Sequence, residues 1–236
     1  MYVEDQLRIT IRIGEIEIAG SQVRRKVLAL FCYLLTRPAF SATRDQVLDA
    51  LWPDLGPEVA VNSLNQTVYF LRRVFEADYR EDASPGYLHH ETDVIWLDIE
   101  LVGSRSADSA QAIVRATADP TPERVEALSE VYRGRFALDF AYEEWAVPYR
   151  ESLHASYLQV IEAAVRTDIA TGHYDRAIRL ARRALEVDPD AEQLEVSLLR
   201  LYRLTGAHAA AAEQYEHYAA VQRSELGVEP PPLDAF

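Results

Sequence analysis

The sequence is poor in cysteine, glycine and long apolar runs, and each shortage excludes a class of protein. The one cysteine, Cys32, lies in the apolar run Val27–Leu35, so it cannot form an intrachain disulfide and is expected in the core. The nine glycines are scattered and form no phosphate-cradling loop. No apolar run reaches membrane-spanning length, and the N-terminus lacks a signal pattern. The sequence therefore predicts a cytoplasmic protein without a membrane partner.

Positive charge is also scarce. The chain has 24 basic and 38 acidic residues, which gives a net charge of −14 at pH 7. The acid is spread along the chain, because residues 1–100 already carry sixteen acidic residues against ten basic ones. Nucleic-acid binding usually leaves a basic footprint, so any DNA binding should be weak without help and very sensitive to salt. Small basic clusters remain at Arg24–Lys26 and Arg72–Arg73.

Patterns of catalytic and metal-binding residues are missing as well. The sequence contains neither a His-Glu-x-x-His nor a Gly-x-Ser-x-Gly motif. His89 and His90 are adjacent in a predicted strand and should point to opposite faces, which makes a poor metal pair. We therefore predict a protein that is not an enzyme and has no cofactor or metal site.

What the first hundred residues do contain is a regular order of short elements. Alternating apolar residues over Leu7–Ile18, interrupted by Gly14, predict two strands and a turn. Three helices follow, with Ser41 as the predicted cap of the second: Val23–Thr36, Thr43–Leu51 and Val61–Phe75. After a polar loop (Arg80–Gly86), Tyr87–His90 and Val94–Leu97 predict a hairpin. The order β-β-α-α-α-β-β is that of a winged helix with an N-terminal sheet.

The third predicted helix has two contrasting faces. Its apolar residues recur with helical spacing: Leu64, Val68, Leu71 and Phe75. Polar residues repeat the same spacing on the opposite face: Asn62, Gln66, Tyr69 and Arg73. Asn and Gln can bond to adenine edges, and Tyr and Arg to phosphate. Periodicity alone favours an ordinary amphipathic helix, but the surrounding order of elements favours a reader of the DNA major groove.

From Ser104 onward the pattern is helical and rich in alanine. Helices are predicted for three segments: Ser106–Ala118, Glu123–Arg133 and Glu144–Thr171. Thr121 is the predicted N-cap of the second helix, and Pro122 occupies its first position. A repeat follows, because Gly206 and Ala211 each lie 34 residues after Gly172 and Ala177. Thirty-four residues is the period of the tetratricopeptide repeat. The first copy also carries Tyr174, Ala184 and Pro189 at the expected places, whereas the second has His208 and Tyr218 instead of Tyr174 and Ala184.

These motifs resemble a known family. Leu51-Trp52-Pro53-Asp54, a loop, and a helix ending Leu71-Arg72-Arg73-Val74-Phe75 resemble the OmpR-type winged helix of the antibiotic regulatory protein (SARP) group. Glu144-Trp145, Arg150 and the closing run Glu225–Pro230 resemble the bacterial transcriptional activation domain of the same regulators. The resemblance implies a mainly α fold with small β-sheets. It implies a winged helix-turn-helix domain over residues 1–101 and an all-α, tetratricopeptide-like domain over residues 102–236.

The predicted site residues combine the helix pattern with this resemblance. Base-proximal and phosphate contacts to DNA are predicted for eight residues: Ser41, Thr43, Asn62, Asn65, Gln66, Tyr69, Arg72 and Arg73. The loop Trp52–Val59 matches the segment that family members use near RNA polymerase, which makes Trp52, Asp54 and Glu58 the predicted contacts. The predicted wing tip Glu91-Thr92-Asp93 departs from a DNA-binding pattern, because it offers no Arg or Lys to a minor groove.

Two hypotheses of function remain open. The leading one is a sequence-specific transcriptional activator whose partners are double-stranded promoter DNA, RNA polymerase holoenzyme, and a second copy or another protein bound through the helical repeats. The alternative is a protein–protein adaptor whose winged helix no longer binds DNA. The acidic charge, the wing tip and the repeat favour the adaptor. A positive potential around residues 62–73 would favour the activator.

Overall fold

The structure, a computed structural model, divides into two compact units. The first comprises Met1–Gln111 and Tyr132–His154, and the second comprises Ala112–Val131 and Ala155–Phe236. The predicted domain boundary at residues 101 and 102 remains a prediction. The residues that the structure describes are 1–80, 84, 86–225 and 227–236. The predicted loop Arg80–Gly86 and the closing run Glu225–Pro230 therefore lie partly outside the described residues.

Among its described residues, the first unit contains two small sheets and three complete α-helices. Its strands are β1 (Tyr2–Glu4), β2 (Thr10–Ile13), β3 (Ile16–Ala19), β4 (Ser41–Thr43), β5 (Leu88–His90), β6 (Val94–Leu97) and β7 (Gly103–Ser104). Its complete helices are α1 (Arg25–Leu35), α2 (Arg44–Leu51) and α3 (Pro57–Phe75). One sheet has the order β3-β2-β1-β7, and the other has the order β4-β6-β5. The hairpin β5–β6 is the wing, and the predicted winged helix with an N-terminal sheet is confirmed.

The core of this unit lies around α1, which is buried from Val27 to Leu35. Phe31 meets Phe75 of α3 edge to face, with ring centroids 5.1 Å apart. Cys32 is fully buried, as predicted. Each large apolar side chain that is fully buried contributes about 1.5–3 kcal/mol, so this cluster fixes the position of α3.

Two buried charged side chains of the first unit, Asp5 and Arg150, are hydrogen-bonded within it. The Asp5 carboxylate accepts hydrogen bonds from the Ser106 backbone N–H at 2.8 Å and from the Ser106 hydroxyl at 2.6 Å. Arg150, which is 4% exposed, donates to backbone carbonyls of residues 136–141. These bonds satisfy charged groups that would otherwise be costly to bury. Residues 132–154 belong to the first unit because the Leu7 N–H donates to the Arg135 carbonyl, the Ala137 N–H donates to the Asp5 carbonyl, and the Tyr149 hydroxyl donates to the Ser106 hydroxyl.

Two local predictions for the first unit are wrong, and three short strands were not predicted. Leu7 does not lie in a strand, because its φ of +65° breaks the extended conformation, and the side chain is 46% exposed. Strands β1, β4 and β7 were not predicted, since three or two residues are too few to show alternation. Ser41 does not cap α2, because it pairs with Trp96 in the sheet and Thr43 is the N-cap.

The second unit is entirely helical among its described residues. Two of its helices begin in the first unit, α4 (Arg105–Ala118) and α6 (Val147–Thr171). The remaining four are complete within it: α5 (Pro122–Val131), α7 (Tyr174–Val187), α8 (Glu192–Leu204) and α9 (His208–Glu225). Pro122 opens α5 as predicted, whereas α6 begins three residues later than predicted. Within the described part of the chain, no helix is long and apolar enough to cross a membrane.

The predicted repeat corresponds to helices α7 to α9. Gly172 follows α6 and Gly206 follows α8, with φ of +80° and +73°, a conformation that glycine adopts at little cost. Ala177 and Ala211 follow at equivalent positions and are 0% and 1% exposed, so small side chains let the paired helices approach closely. The predicted fold class, mainly α with small β-sheets, is confirmed.

Candidate nucleic-acid interface

Helix α3 begins four residues earlier than predicted. Its N-cap is Gly56, and Pro57 occupies the first position, where a missing N–H costs nothing. Glu58 lies in the first turn and Arg72 and Arg73 in the last, so both ends carry the charge that suits the helix dipole. The resulting helix has 19 residues, more than five turns, and presents one long face to solvent.

The two predicted faces of α3 are present. The apolar stripe is buried, with exposed fractions from 0% to 7%: Leu64, Val68, Leu71 and Phe75. The opposite side, here called the polar face, is exposed: Asn62, Asn65, Gln66, Tyr69 and Arg73. Five of the eight predicted DNA contacts therefore lie on one side of one helix. Such a surface can meet a major groove without disturbing the core.

Two residues of the polar face are held together. The Nη1 of Arg73 donates a hydrogen bond to the Tyr69 hydroxyl at 2.9 Å, and the guanidinium lies 5.8 Å from the ring centroid. This hydrogen bond raises the pKa of Arg73, so its charge is fixed. Tyr69 also meets the Phe70 ring edge to face at 5.4 Å. The pair thus presents one oriented cation at the C-terminal end of the polar face.

Arg72 is placed differently from Arg73. It is half-buried, and its Nε donates to the Leu88 carbonyl of the wing strand β5 at 3.4 Å. Its guanidinium also lies 5.2 Å from the Tyr79 ring. Arg72 therefore connects α3 to the wing while adding positive charge between them.

The predicted phosphate contacts Ser41 and Thr43 lie at the start of α2. Ser41 is half-buried in β4. Thr43 is exposed, and its Oγ1 accepts from the Gln46 N–H at 3.2 Å while the Gln46 side chain accepts from the Thr43 N–H at 3.0 Å. This capping box occupies acceptor capacity, and the Thr43 hydroxyl can still donate to an anion.

Arg44 and His90 were not among the predicted contacts, although they line the same surface. Together with Asn65, Glu91 and Thr92 they border a cleft between α3 and the wing. The Arg44 Nε is buried and makes no hydrogen bond to any described residue, and the Asp45 and Asp93 carboxylates lie 4.0 and 3.9 Å from its guanidinium. Burial, and then the charges of Arg72 and Arg44, lower the pKa of His90. A cation at a helix N-terminus is locally unfavourable, and that signal could have singled out Arg44.

The wing tip, Glu91 to Asp93, is exposed and acidic, as the sequence indicated. The Asp93 carbonyl accepts from the Arg44 N–H at 2.8 Å, which holds the tip beside α2. Neither strand of the hairpin carries Arg or Lys. The tip therefore repels phosphate, in contrast to the neighbouring cations Arg44 and Arg72.

The loop between α2 and α3 exposes both acidic and apolar side chains to solvent. Asp54 and Glu58 are exposed, and Leu55 and Val59 are 41% and 56% exposed. Trp52 is only 9% exposed, so it supports the base of the loop and offers little contact area. The Lys26 ammonium lies 5.8 Å from the centroid of the Trp52 ring and donates to the Leu51 carbonyl at 2.5 Å.

A winged helix-turn-helix followed by tetratricopeptide-like helices defines the SARP type of transcriptional activator. The family described as "Bacterial transcriptional activator domain" matches residues 97–233, more than half of the sequence, and the chain belongs to this family. Members of the family are regulatory transcription factors. The resemblance noted in the sequence is therefore confirmed.

Individual relatives agree with this assignment. The chain is 28% identical to regulatory protein AfsR of Streptomyces griseus over 97% of its own length, and 27% identical to AfsR of Streptomyces coelicolor over 94%. It spans only 24% and 22% of those proteins. In fold it is similar to Mycobacterium tuberculosis EmbR, solved in complex with a low-affinity phosphopeptide. The TM-score is 0.64 at 18% identity, and the match covers 99% of this chain and 62% of EmbR.

Proposed function

We propose that the protein is a sequence-specific transcriptional activator that reads promoter DNA with the polar face of α3. The observation that carries this proposal is the arrangement of five exposed polar residues on one side of a helix whose other side is fixed in the core. Asn62 and Gln66 would contact base edges, because their amides can bond bidentately to adenine. Tyr69 and Asn65 would lie beside the bases.

Phosphate contacts would come from both sides of the polar face. Arg72 and Arg73 lie at its C-terminal end, while Ser41, Thr43 and the newly identified Arg44 lie near the wing. Contacts on two sides would bind the two phosphate backbones that border a major groove. Such contacts set orientation, whereas the amides between them set sequence.

The loop between α2 and α3 would contact RNA polymerase. Asp54 and Glu58 offer negative charge and Leu55 offers an exposed apolar side chain, which together suit a basic protein surface. Trp52 would act through the packing of the loop base. In transcription with purified polymerase, Asp54→Ala/Glu58→Ala should keep promoter affinity but lose activation. If the variant loses promoter affinity together with activation, or keeps both, the loop does not contact RNA polymerase in the proposed way.

The direct test of DNA binding is selection from random duplex DNA at low salt with the purified chain. We expect an enriched motif, and enrichment should disappear in Arg72→Ala/Arg73→Ala. Two copies of the motif in direct repeat would indicate that two protein copies bind side by side, with the helical unit as the surface through which they associate. Failure to enrich any motif would overturn the proposal.

The adaptor remains a second candidate, because the net charge of −14 and the acidic wing tip both oppose DNA binding. In that case the helical unit would bind a protein partner and the polar face of α3 would be an ordinary solvated surface. An unenriched selection, combined with weak binding that vanishes at moderate salt, would favour the adaptor.

A further inference from the structure

A cleft in the second unit is unrelated to the DNA-binding proposal. It lies among α4, α5, α6 and α7, and its volume is about 390 Å³. Pockets that hold small molecules occupy roughly 300–1,000 Å³ and combine apolar walls with a few placed polar groups. The cleft has both features.

The floor of the cleft is apolar and well formed. Five side chains line it with exposed fractions from 0% to 9%: Ile113, Ala116, Val125, Val160 and Leu180. Ala116 adds only a methyl group, which leaves room between the helices. Since the floor is assembled from four helices, a ligand would find the site already shaped and would lose little affinity to ordering it.

One end of the cleft carries a buried ion pair. Asp168 is 1% exposed, and its carboxylate accepts from both Nε and Nη2 of Arg176, the Nε bond measuring 2.7 Å. The third guanidinium nitrogen, Nη1, makes no hydrogen bond to any residue that the structure describes, and the Arg176 side chain is 24% exposed. The ion pair therefore offers the cleft a strong donor without net charge.

Charge balance restricts what can bind there. Asp168 and Arg176 are the charged residues lining the cleft, and they neutralise each other. The hydrogen bond to Asp168 is the main factor that raises the pKa of Arg176, and the nearby acids Glu126 and Glu123 add to it. An anion would be repelled by the nearby acids Glu126 and Glu123, and a cation would find the Asp168 carboxylate already paired with Arg176. Either charge would lose hydration without a free partner.

We propose that the cleft binds a neutral, largely apolar small molecule that presents one carbonyl or hydroxyl oxygen to the Arg176 guanidinium. The apolar floor supplies affinity, and the spare N–H groups supply orientation. A peptide fits less well, because its backbone brings many polar groups that need partners and the floor is apolar.

Prodan, a neutral naphthalene ketone with environment-sensitive fluorescence, is a suitable probe for the intact chain. We expect saturable one-to-one binding with a blue-shifted emission. Ala164→Leu and Ala163→Phe narrow the cleft from α6 and should each weaken binding by roughly tenfold or more. The matched control Ala155→Phe, on the same helix outside the cleft, should bind like the parent, and circular dichroism should show all four proteins folded.

A second variant tests the hydrogen bond alone. Arg176→Lys keeps a positive charge beside Asp168 but removes the fork of donors, so prodan affinity should fall roughly tenfold. The analogue 2-(dimethylamino)naphthalene, which lacks the ketone, should bind equally to both proteins. An equal loss of affinity for both probes would show that Arg176 shapes the cleft and does not bond the ketone, which would contradict its assigned role.

Four results would overturn the proposal. Prodan could fail to bind saturably, or it could bind the folded cleft-narrowing variants like the parent. An anionic probe, anilinonaphthalene sulfonate, could bind more tightly with the same sensitivity to these variants, which would assign an acidic ligand. Finally, sedimentation could show a dimer that the narrowing variants dissociate, which would assign the cleft to a second copy of the chain.

Discussion

The polar face of α3 and the wing tip belong to one winged helix, yet they differ in charge. The polar face carries amides, a tyrosine and the fixed cation Arg73, while the tip carries Glu91 and Asp93. Both surfaces rest on the same buried core, so burial does not distinguish them. The comparison shows that a winged-helix fold does not by itself determine how each exposed part meets DNA.

The largest expected effect comes from removing the cations at the end of α3. Arg72→Ala/Arg73→Ala should lower affinity for the selected duplex roughly fiftyfold near 0.1 M salt, because two phosphate contacts and their released counterions are lost. Fluorescence anisotropy measures this change. The Lys/Lys variant retains the charges and should recover most of the affinity. If the Ala/Ala variant binds DNA like the parent, the C-terminal end of α3 does not belong to the interface.

The amides of the polar face should affect sequence preference more than affinity. Asn62→Ala/Gln66→Ala should lower the preference for the selected motif over an unrelated duplex by roughly tenfold or more, since each bidentate contact discriminates by about 1–3 kcal/mol. Binding to the unrelated duplex should stay unchanged. Competition between the two duplexes gives both quantities. An equal loss for both would assign these amides to general affinity.

Neutralising the wing tip should act in the opposite direction. Glu91→Gln/Asp93→Asn should strengthen DNA binding by roughly fivefold at low salt, because repulsion of phosphate falls and Arg44 loses a competing carboxylate 3.9 Å away. The control Glu15→Gln/Glu100→Gln makes the same change in net charge at exposed sites elsewhere. If the control strengthens binding as much, the tip has no special place in the interface.

The smallest expected effect is a dependence on pH through His90. Burial and the charges of Arg72 and Arg44 hold its pKa below the ordinary value of 6.5, so it is neutral at pH 7 and gains charge only in more acidic solution. Affinity for DNA should rise roughly twofold as the pH falls from about 7 to 5. The contribution of His90 to the free energy of unfolding should fall over the same range, because the unfolded chain binds this proton more readily, while Asp5, whose pKa burial raises to about 6, acts in the opposite direction in parent and variant alike.

His90→Gln should remove both of these trends. Anisotropy and chemical denaturation at matched pH values measure them, with His89→Gln as the control. A pH profile for His90→Gln that matches the parent would show that other groups are responsible.

The parts of the molecule that the sequence predicts well are those with long periodic patterns. Leu64, Val68, Leu71 and Phe75 form a stripe over three turns, and the 34-residue spacing of glycines marks the repeat. Both patterns arise because the same kind of position is buried or turned again and again at a fixed spacing, which the sequence shows directly. Short elements carry no comparable signal, so β4 went unpredicted, and its pairing with β6 moved the cap of α2 from Ser41 to Thr43.

Contacts between residues distant in sequence were the least predictable part of the site. Arg44 and His90 become neighbours of Asn65 only because the wing packs beside α3, and Arg72 and Arg73 differ only in where their side chains point. Asp5 is bound to Ser106, 101 residues away. Burial raises the Asp5 pKa to about 6, although the local sequence gives no sign of it.

Photo-crosslinking tests directly whether the polar face of α3 contacts DNA. Cys32 is fully buried, and burial raises the pKa of its thiol, so azidophenacyl bromide should modify only an introduced cysteine. Three exposed positions supply the comparison: Gln66→Cys on the polar face, Thr92→Cys at the wing tip, and Val114→Cys on α4 as the background.

If the polar face contacts DNA, illumination should crosslink the selected duplex most efficiently to Gln66→Cys and less to Thr92→Cys, with only background at Val114→Cys. Excess unlabelled selected duplex should compete for the Gln66→Cys product more effectively than an unrelated duplex, because Asn62 still favours the selected sequence. A Gln66→Cys yield no greater than that of Val114→Cys would show that the polar face does not contact DNA.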